Sequence, residues 1–358
     1  MASIGTYSGP AAASLVPYLE GTQIWIKTVN ARGGLNGHPV NLITYDDGGD
    51  PARYRSQLQD AVERRHALAL LQLSVPLTGH VGVDYLKEKR IPVIGLVGGE
   101  SWGYSSPFLF PQMPVGDALS YTFVASMAEQ NVPQGRTKLG MLYCAEAQGC
   151  SDANRLINQS AKPLGFDFVY QAKVSLAQPD FTAECLAARN AGVQVLFMFS
   201  DSNSTDRIAA SCVRQSFHPQ FAIGHGIALD RHAQDQNLEG LISSTTVFPY
   251  FQTGTPASDE FHNAVKTSGK AADIGVAMAQ GWTTGKLMEK AGAALPEPPT
   301  TQAILEGLWH IKSDTLGGIT VPITFTEGQN PTPVSCWFDI AIRKGAWVSV
   351  DNFKQHCR

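Results

Sequence analysis

Gly99-Glu100-Ser101-Trp102-Gly103 has the spacing of a nucleophile elbow, in which a sharp strand-to-helix turn lifts a serine hydroxyl for acyl transfer. That chemistry needs a helix directly after the serine. Here Ser105-Ser106-Pro107 follows, and a proline pushes the residue before it away from the helical region. The spacing therefore argues against an esterase. Asp46 and Asp47 are adjacent acids that could hold a metal or act as a general acid–base pair. Neighbours on a strand point to opposite faces, so they read as loop and capping groups instead. No P-loop, G-x-G-x-x-G or H-E-x-x-H occurs in the sequence. The expectation is a protein without catalysis, cofactor or metal.

The six cysteines fall into three neighbourhoods. Cys144 and Cys150 share a loop, Cys185 and Cys212 flank a strand, and Cys336 and Cys357 lie in the last segment. Six cysteines allow fifteen pairings. Pairing neighbours is the simplest and implies an oxidising compartment; the alternative is six buried thiols in a reducing one. Zinc is not favoured, because no C-x-x-C occurs. A net charge of −4 and a pI near 6.1 argue against nucleic acid, which needs clustered Lys and Arg. The short basic runs Arg64-Arg65-His66 and Lys87-Glu88-Lys89-Arg90 suit helix C-termini. No apolar run approaches the roughly 18 residues of a membrane span. A first strand that begins almost at Met1 suggests a mature export product whose signal segment is missing.

At 358 residues the chain is long enough for two lobes. Strand and helix patterns alternate almost throughout. Strand 3–7 leads to a helix over 14–32 that stops at Gly33-Gly34. Strand 40–45 is followed by Asp50-Pro51, an N-cap acid before a first-turn proline, opening a helix to about 65. Strand 67–73, helix 78–89 and strand 91–94 continue the series. Residues 111–117 read as a crossing strand. A second set follows: strands 138–143, 166–174, 193–199 and 221–223, with helices to about 129 and over 151–163, 181–190 and 205–217. Residues 243–247 read as a return strand. Helices near 258–266, 273–292 and 301–312 precede β structure over 335–342 and 347–350. This rhythm predicts mostly parallel sheets with helices on both faces.

Two segments are more specific: Ala31-Arg32-Gly33-Gly34-Leu35-Asn36-Gly37-His38-Pro39-Val40, and Tyr45-Asp46-Asp47 with Asp50-Pro51 behind it. With Ser8-Gly9-Pro10 before the first helix, they resemble the bacterial branched-chain amino-acid (Leu/Ile/Val) binding-protein family, the type I periplasmic binding proteins. The motif match is strong in the first hundred residues or so, and the element order fits over nearly the whole chain. The resemblance implies an α/β fold of two similar doubly wound lobes joined by three crossing segments, near 115–120, 245–250 and 325–334. The first lobe would be 1–117 plus 248–328, and the second 118–247 plus 329–358. It implies a small-molecule ligand in the cleft and delivery to the membrane permease of an ABC importer. It further implies an exported monomer, periplasmic or lipid-anchored at the cell surface. A cytosolic ligand sensor on the same fold is the rival reading.

By the same resemblance, two first-lobe loops would grip a ligand's carboxylate: Gln72-Leu73-Ser74-Val75, and Gly95 to Trp102 including Val97. The second reads Gly98-Gly99 where the family's pattern has a threonine, leaving glycine N–H groups as the anchor. The family's acidic partner for an ammonium falls on His225, in Ile223-Gly224-His225-Gly226, with Asp201 as a possible replacement acid. Gln148 falls where an aromatic is common, Ser14 matches another contact position, and Trp102 offers a stacking face. Losing both the threonine and the acid points away from branched-chain amino acids. It points to a small non-amino-acid carboxylate, aromatic acids included. Phe197-Met198-Phe199 reads as core.

Overall fold

The computed structural model describes residues 1–9, 11–97, 101–271, 274–333 and 335–357. The first lobe is built from β1 (Ala2–Gly5), α1 (Ala12–Ala31), β2 (Ile43–Asp46), α2 (Pro51–Gln59), β3 (Leu70–Leu73), α3 (Val83–Lys89), β4 (Val93–Leu96) and β5 (Leu109–Phe110). Its sheet runs β2-β1-β3-β4-β5 with every pairing parallel. The second lobe takes α4 (Gly116–Asn131), β6 (Lys138–Cys144), α5 (Gln148–Ala161), β7 (Asp167–Val174), α6 (Thr182–Asn190), β8 (Val195–Phe199), α7 (Ser202–Arg214), β9 (Gln220–Ile223) and β10 (Ile242–Thr245). The chain then returns to the first lobe through α8 (Pro256–Ser268), α9 (Val276–Ala291) and α10 (Thr301–Trp309). It ends in the second with β11 (Cys336–Arg343), β12 (Ala346–Ser349) and β13 (Gln355–Cys357). The second sheet runs β12-β11-β10-β9-β8-β6-β7. It is parallel from β10 to β7, and β11 pairs antiparallel with β10, β12 and β13. This is the two-lobed α/β architecture expected from the element order.

Local chemistry explains the joints. After α1, the Gly34 N–H reaches back to Val29 O at 3.0 Å, with Gly33 and Gly34 both at positive φ, which ends the helix. Asn36 and Gly37, at φ 47° and 89°, form the two-residue turn between Leu35 and His38. The Asp50 carboxylate accepts from the N–H groups of Ala52 and Arg53 at 2.8 and 3.1 Å and starts α2. Helices α1 and α9 pack almost backbone to backbone. A Cβ on Gly21 or Gly281 would lie 2.0 or 1.9 Å from a carbonyl oxygen of the facing helix.

The chain passes between the lobes three times: from β5 to α4, from β10 to α8, and from α10 to β11. These segments are stitched together. Phe248 N–H donates to Ile319 O at 3.1 Å, and Thr320 Oγ1 to Gln112 O at 3.1 Å. The first passage differs from the expected strand. Pairing ends at Phe110, and α4 begins at Gly116, so most of that segment lies in no ladder. The segment Asp60–Arg64 winds as a π-helical turn that ends α2. β13 was not expected. It is three residues long, and the Cys336–Cys357 bridge joins two residues that are register partners on β11 and β13.

All six cysteines are bridged, as Cys144–Cys150, Cys185–Cys212 and Cys336–Cys357. These are the three neighbourhood pairs. Among the described residues no helix is long and apolar enough to cross a membrane.

Candidate functional site

The C-terminal ends of the parallel strands in both sheets face one another across a cavity of about 260 Å³. Open α/β sheets place ligands at such ends. The volume sits just under the common 300–1,000 Å³ range of ligand sites and suits a small molecule. The first lobe lines it with Thr6, Ser8 and Gly9 after β1, with the Ser14, Leu15 and Tyr18 face of α1, and with Pro76, Leu77 and Val97 beyond β3 and β4. The second lobe adds Leu119 and Phe123 from α4, the β6–α5 loop from Cys144 to Cys150, Phe199 to Asp201 after β8, and Gly224 to Ile227 after β9. The lobes touch here. A Cβ on Gly226 would lie 2.0 Å from the Tyr18 hydroxyl oxygen, so a larger residue here requires the Tyr18 side chain to move.

His225 is 4% exposed, and its Nδ1 is buried without a hydrogen-bond partner. Burial drives its pKa down to about 3, so the imidazole is neutral near pH 7. Its ring lies 5.4 Å from that of Phe123, which also neighbours Phe199 at 6.2 Å. The Ser14 Oγ is likewise buried and unpartnered.

The two described acids on the wall are both occupied. Asp201 Oδ1 accepts from Asn203 N–H and Ser204 N–H at 2.7 and 3.0 Å, and Oδ2 accepts from Ser204 Oγ at 2.5 Å. Asp201 is thus the N-cap of α7, which is why that helix starts at Ser202 and not near Thr205. Its carboxylate stands on the cavity wall with three hydrogen bonds already accepted from the start of α7. Glu146 accepts from Ser175 Oγ and Leu176 N–H at 2.7 and 2.8 Å. No lysine or arginine is among the described lining residues.

Several expected contacts lie elsewhere. Gln72 points into the protein at φ 49°, where its Oε1 accepts from Thr284 Oγ1 at 2.5 Å and Gln112 Nε2 at 3.3 Å. Leu73 packs in the first-lobe core, and Ser74 is fully buried, its main chain paired to β1. None of the three lines the cavity. Trp102 packs against Gly79 and Val75 and, with Gln148, lines an outer pocket beside the cavity. Gly98 and Gly99 lie outside the described residues. Of the expected set, Ser14, Val97, Asp201 and His225 reach the cavity wall.

The residues that sequence reading missed include the aromatic and sulfur groups Tyr18, Phe123, Phe199, Met113, Cys144 and Cys150. Phe199 shares a strand face with core Phe197, but sits at the end of β8, where that face opens on the cavity. The i, i+2 spacing carried that signal. At the elbow-like motif, Ser101–Tyr104 forms a short 3₁₀ turn in place of a helix. Among the described residues, the group that could hold a metal ion is Glu129, Asp339 and His356, with ligand atoms within 4.8 Å of one another. It lies outside the cleft.

Fold and cleft together define a two-lobed binding protein that encloses a small molecule. The chain belongs to the periplasmic binding protein family, whose sequence pattern matches residues 1–346. That family is one of binding proteins. Solved structures share the fold along nearly the full chain. A Thermus thermophilus branched-chain amino-acid ABC transporter protein with bound valine aligns at TM-score 0.84 and 16% identity, over 98% of this chain and 95% of its own. An R. palustris ABC-transporter solute-binding protein in complex with benzoate aligns at 0.77 and 13%, over 98% and 94%. A Thermomonospora curvata fatty acid ABC transporter substrate-binding protein aligns at 0.81 and 14%, over 99% and 92%. No curated protein matches the sequence.

Proposed function

We propose that this protein captures a small, largely apolar carboxylic acid that has no ammonium group, aromatic acids included, and passes it to the membrane permease of an ABC importer. One observation carries the reading. Both described acids on the wall are spent on the protein's own N–H and O–H groups, while His225 keeps an unpartnered nitrogen. An ammonium entering here would have to compete with those N–H and O–H groups for the Asp201 and Glu146 carboxylates. A carboxylate meeting the His225 N–H and the Ser14 hydroxyl instead satisfies groups that are otherwise orphaned. His225 acts through a neutral N–H, because burial holds it uncharged until an anion arrives. The relative that binds benzoate supports testing that acid first, and the relative that binds valine supplies the contrast.

The lobes are taken as 1–117 plus 248–328 and 118–247 plus 329–358, closing by rotation about the three passages. The three bridges suit an exported chain, periplasmic or lipid-anchored, working as a monomer, and do not suit a cytosolic sensor. Calorimetry against benzoate, aliphatic acids, leucine and valine tests the ligand class. Binding of benzoate or another simple acid with no heat from leucine is the expected result. Tight leucine binding would overturn it.

A further inference from the structure

Cys144 and Cys150 are 6% and 7% exposed, and both line the cavity. The other two bridges do not reach it. Cys185–Cys212 is sealed in the core, and Cys336–Cys357 ties β11 to β13. The cleft bridge joins residues six apart, the last of β6 and one in the first turn of α5. β6 lies between β7 and β8, and Cys144 is paired in register with Val174 of β7, one residue beyond the last pair with β8. Three residues inside the ring, Glu146, Ala147 and Gly149, also line the cavity. Glu146 pins the far side of the ring to Ser175 and Leu176. The N-cap of α5 is Ala147, which offers no capping oxygen, so no side chain at that position accepts from the first-turn N–H groups. The same wall carries the buried, unpartnered Nδ1 of His225. The uncapped start of α5 and the unpartnered His225 nitrogen therefore share the wall with the bridge.

We propose that the Cys144–Cys150 disulfide is a ligand-contacting and positioning element: its sulfurs meet the ring of an aromatic acid, and the ring of chain it closes holds the start of α5 towards the carboxylate. The proposal rests on the carboxylic-acid reading of the cleft. Polarisable sulfur against an aromatic ring is favourable, whereas a saturated ring gains no such contact. The bridge is then a specificity element that selects flat acids over saturated ones of similar size.

The test compares benzoate with cyclohexanecarboxylate by calorimetry on the full chain, wild type and Cys144→Ala/Cys150→Ala. The double variant is expected to lose about three- to tenfold in benzoate affinity, and distinctly less for the saturated acid. Equal losses, or none, overturn the proposal, because a purely structural bridge would move both acids alike. If the variant does not fold, the wild type is treated with a phosphine reductant with and without saturating benzoate, and its thiols are mapped by alkylation. Selective slowing at Cys144–Cys150, with Cys336–Cys357 unchanged, is the expected result, and equal reduction rates overturn it. If neither acid binds the wild type, the reading of the ligand falls and takes this proposal with it. If both bind and the bridge is indifferent, this proposal alone falls.

Discussion

The second lobe carries two histidines that the fold treats in opposite ways. His356, on β13, is surrounded by partners. Its Nδ1 lies 2.9 Å from Glu129 Oε2, its Nε2 bonds Asp351 and is 3.9 Å from Asp339, and its ring stacks on Trp337 at 5.6 Å. His225, beyond the end of β9, has aromatic neighbours and a nitrogen with no partner at all. Buried polar groups are normally satisfied, so an orphan on a cavity wall marks the place where something from outside completes the bonding. A satisfied imidazole marks a joint of the scaffold. The lesson is that burial alone does not separate binding from structure, whereas the origin of the bonding partners does.

The largest effect belongs to the scaffold side. Asp339 is 2% exposed, and burial raises its pKa to about 7, with Ser126 and His356 opposing the shift and Glu129 and Asp351 adding to it. The folded state therefore holds a proton that the unfolded chain, with a pKa near 3.9, has already released. Stability falls as pH rises from about 4 to about 7 and is flat above, a loss of up to about 4 kcal/mol. Asp339→Asn should flatten that slope and be the more stable protein at pH 8. Denaturant unfolding at pH 4.5, 6 and 8 checks this, and a wild-type profile as flat as the variant's would refute it.

Next comes the crossed pair of alanine variants. His225→Ala should weaken benzoate binding by about 10- to 100-fold, the worth of a hydrogen bond to a charged group, with little change in unfolding midpoint. His356→Ala should do the reverse, lowering stability by about 2 kcal/mol with benzoate affinity unchanged. Calorimetry and melting on the same samples decide it. If the two phenotypes exchange, the contrast drawn above is wrong.

Gly226→Ala probes the approach of the lobes beside His225. A methyl group 2.0 Å from the Tyr18 oxygen displaces the Tyr18 side chain or the lobe that carries it. Benzoate affinity should fall about tenfold, comparable to 1.4 kcal/mol. Small-angle scattering should show a smaller contraction on binding than in the wild type. Tyr18→Phe in the same chain should restore much of both, and failure to do so would mean that the substitution acts elsewhere. The smallest effect is expected at Ser14, whose orphan hydroxyl is a rotatable donor that other groups on the ligand or water can replace. Ser14→Ala should cost about two- to tenfold in benzoate affinity, and no change would remove it from the site.

Features set by neighbours in the chain were legible in the sequence. Gly33-Gly34, Asn36-Gly37 and Asp50-Pro51 act on backbone groups within six residues, so their types and spacing suffice to fix the end of α1, the turn and the start of α2. The alternation of strands and helices gave the two sheets, and cysteine neighbourhoods gave the bridges. Asp201 has the same local signature as Asp50, yet the resemblance drew attention to its charge and away from its capping role. The wall of the cavity was beyond such reasoning. Gln72 turns inward because Thr284, more than two hundred residues away, receives it there. Phe199 leaves the core because its strand ends where the other lobe stands off, and Gly226 meets the Tyr18 hydroxyl because Tyr18 crosses from α1. Local hydrogen bonds are decided within a turn or two of chain. Which side chains share a void is decided only when elements distant in sequence pack, and for that the tertiary structure was required.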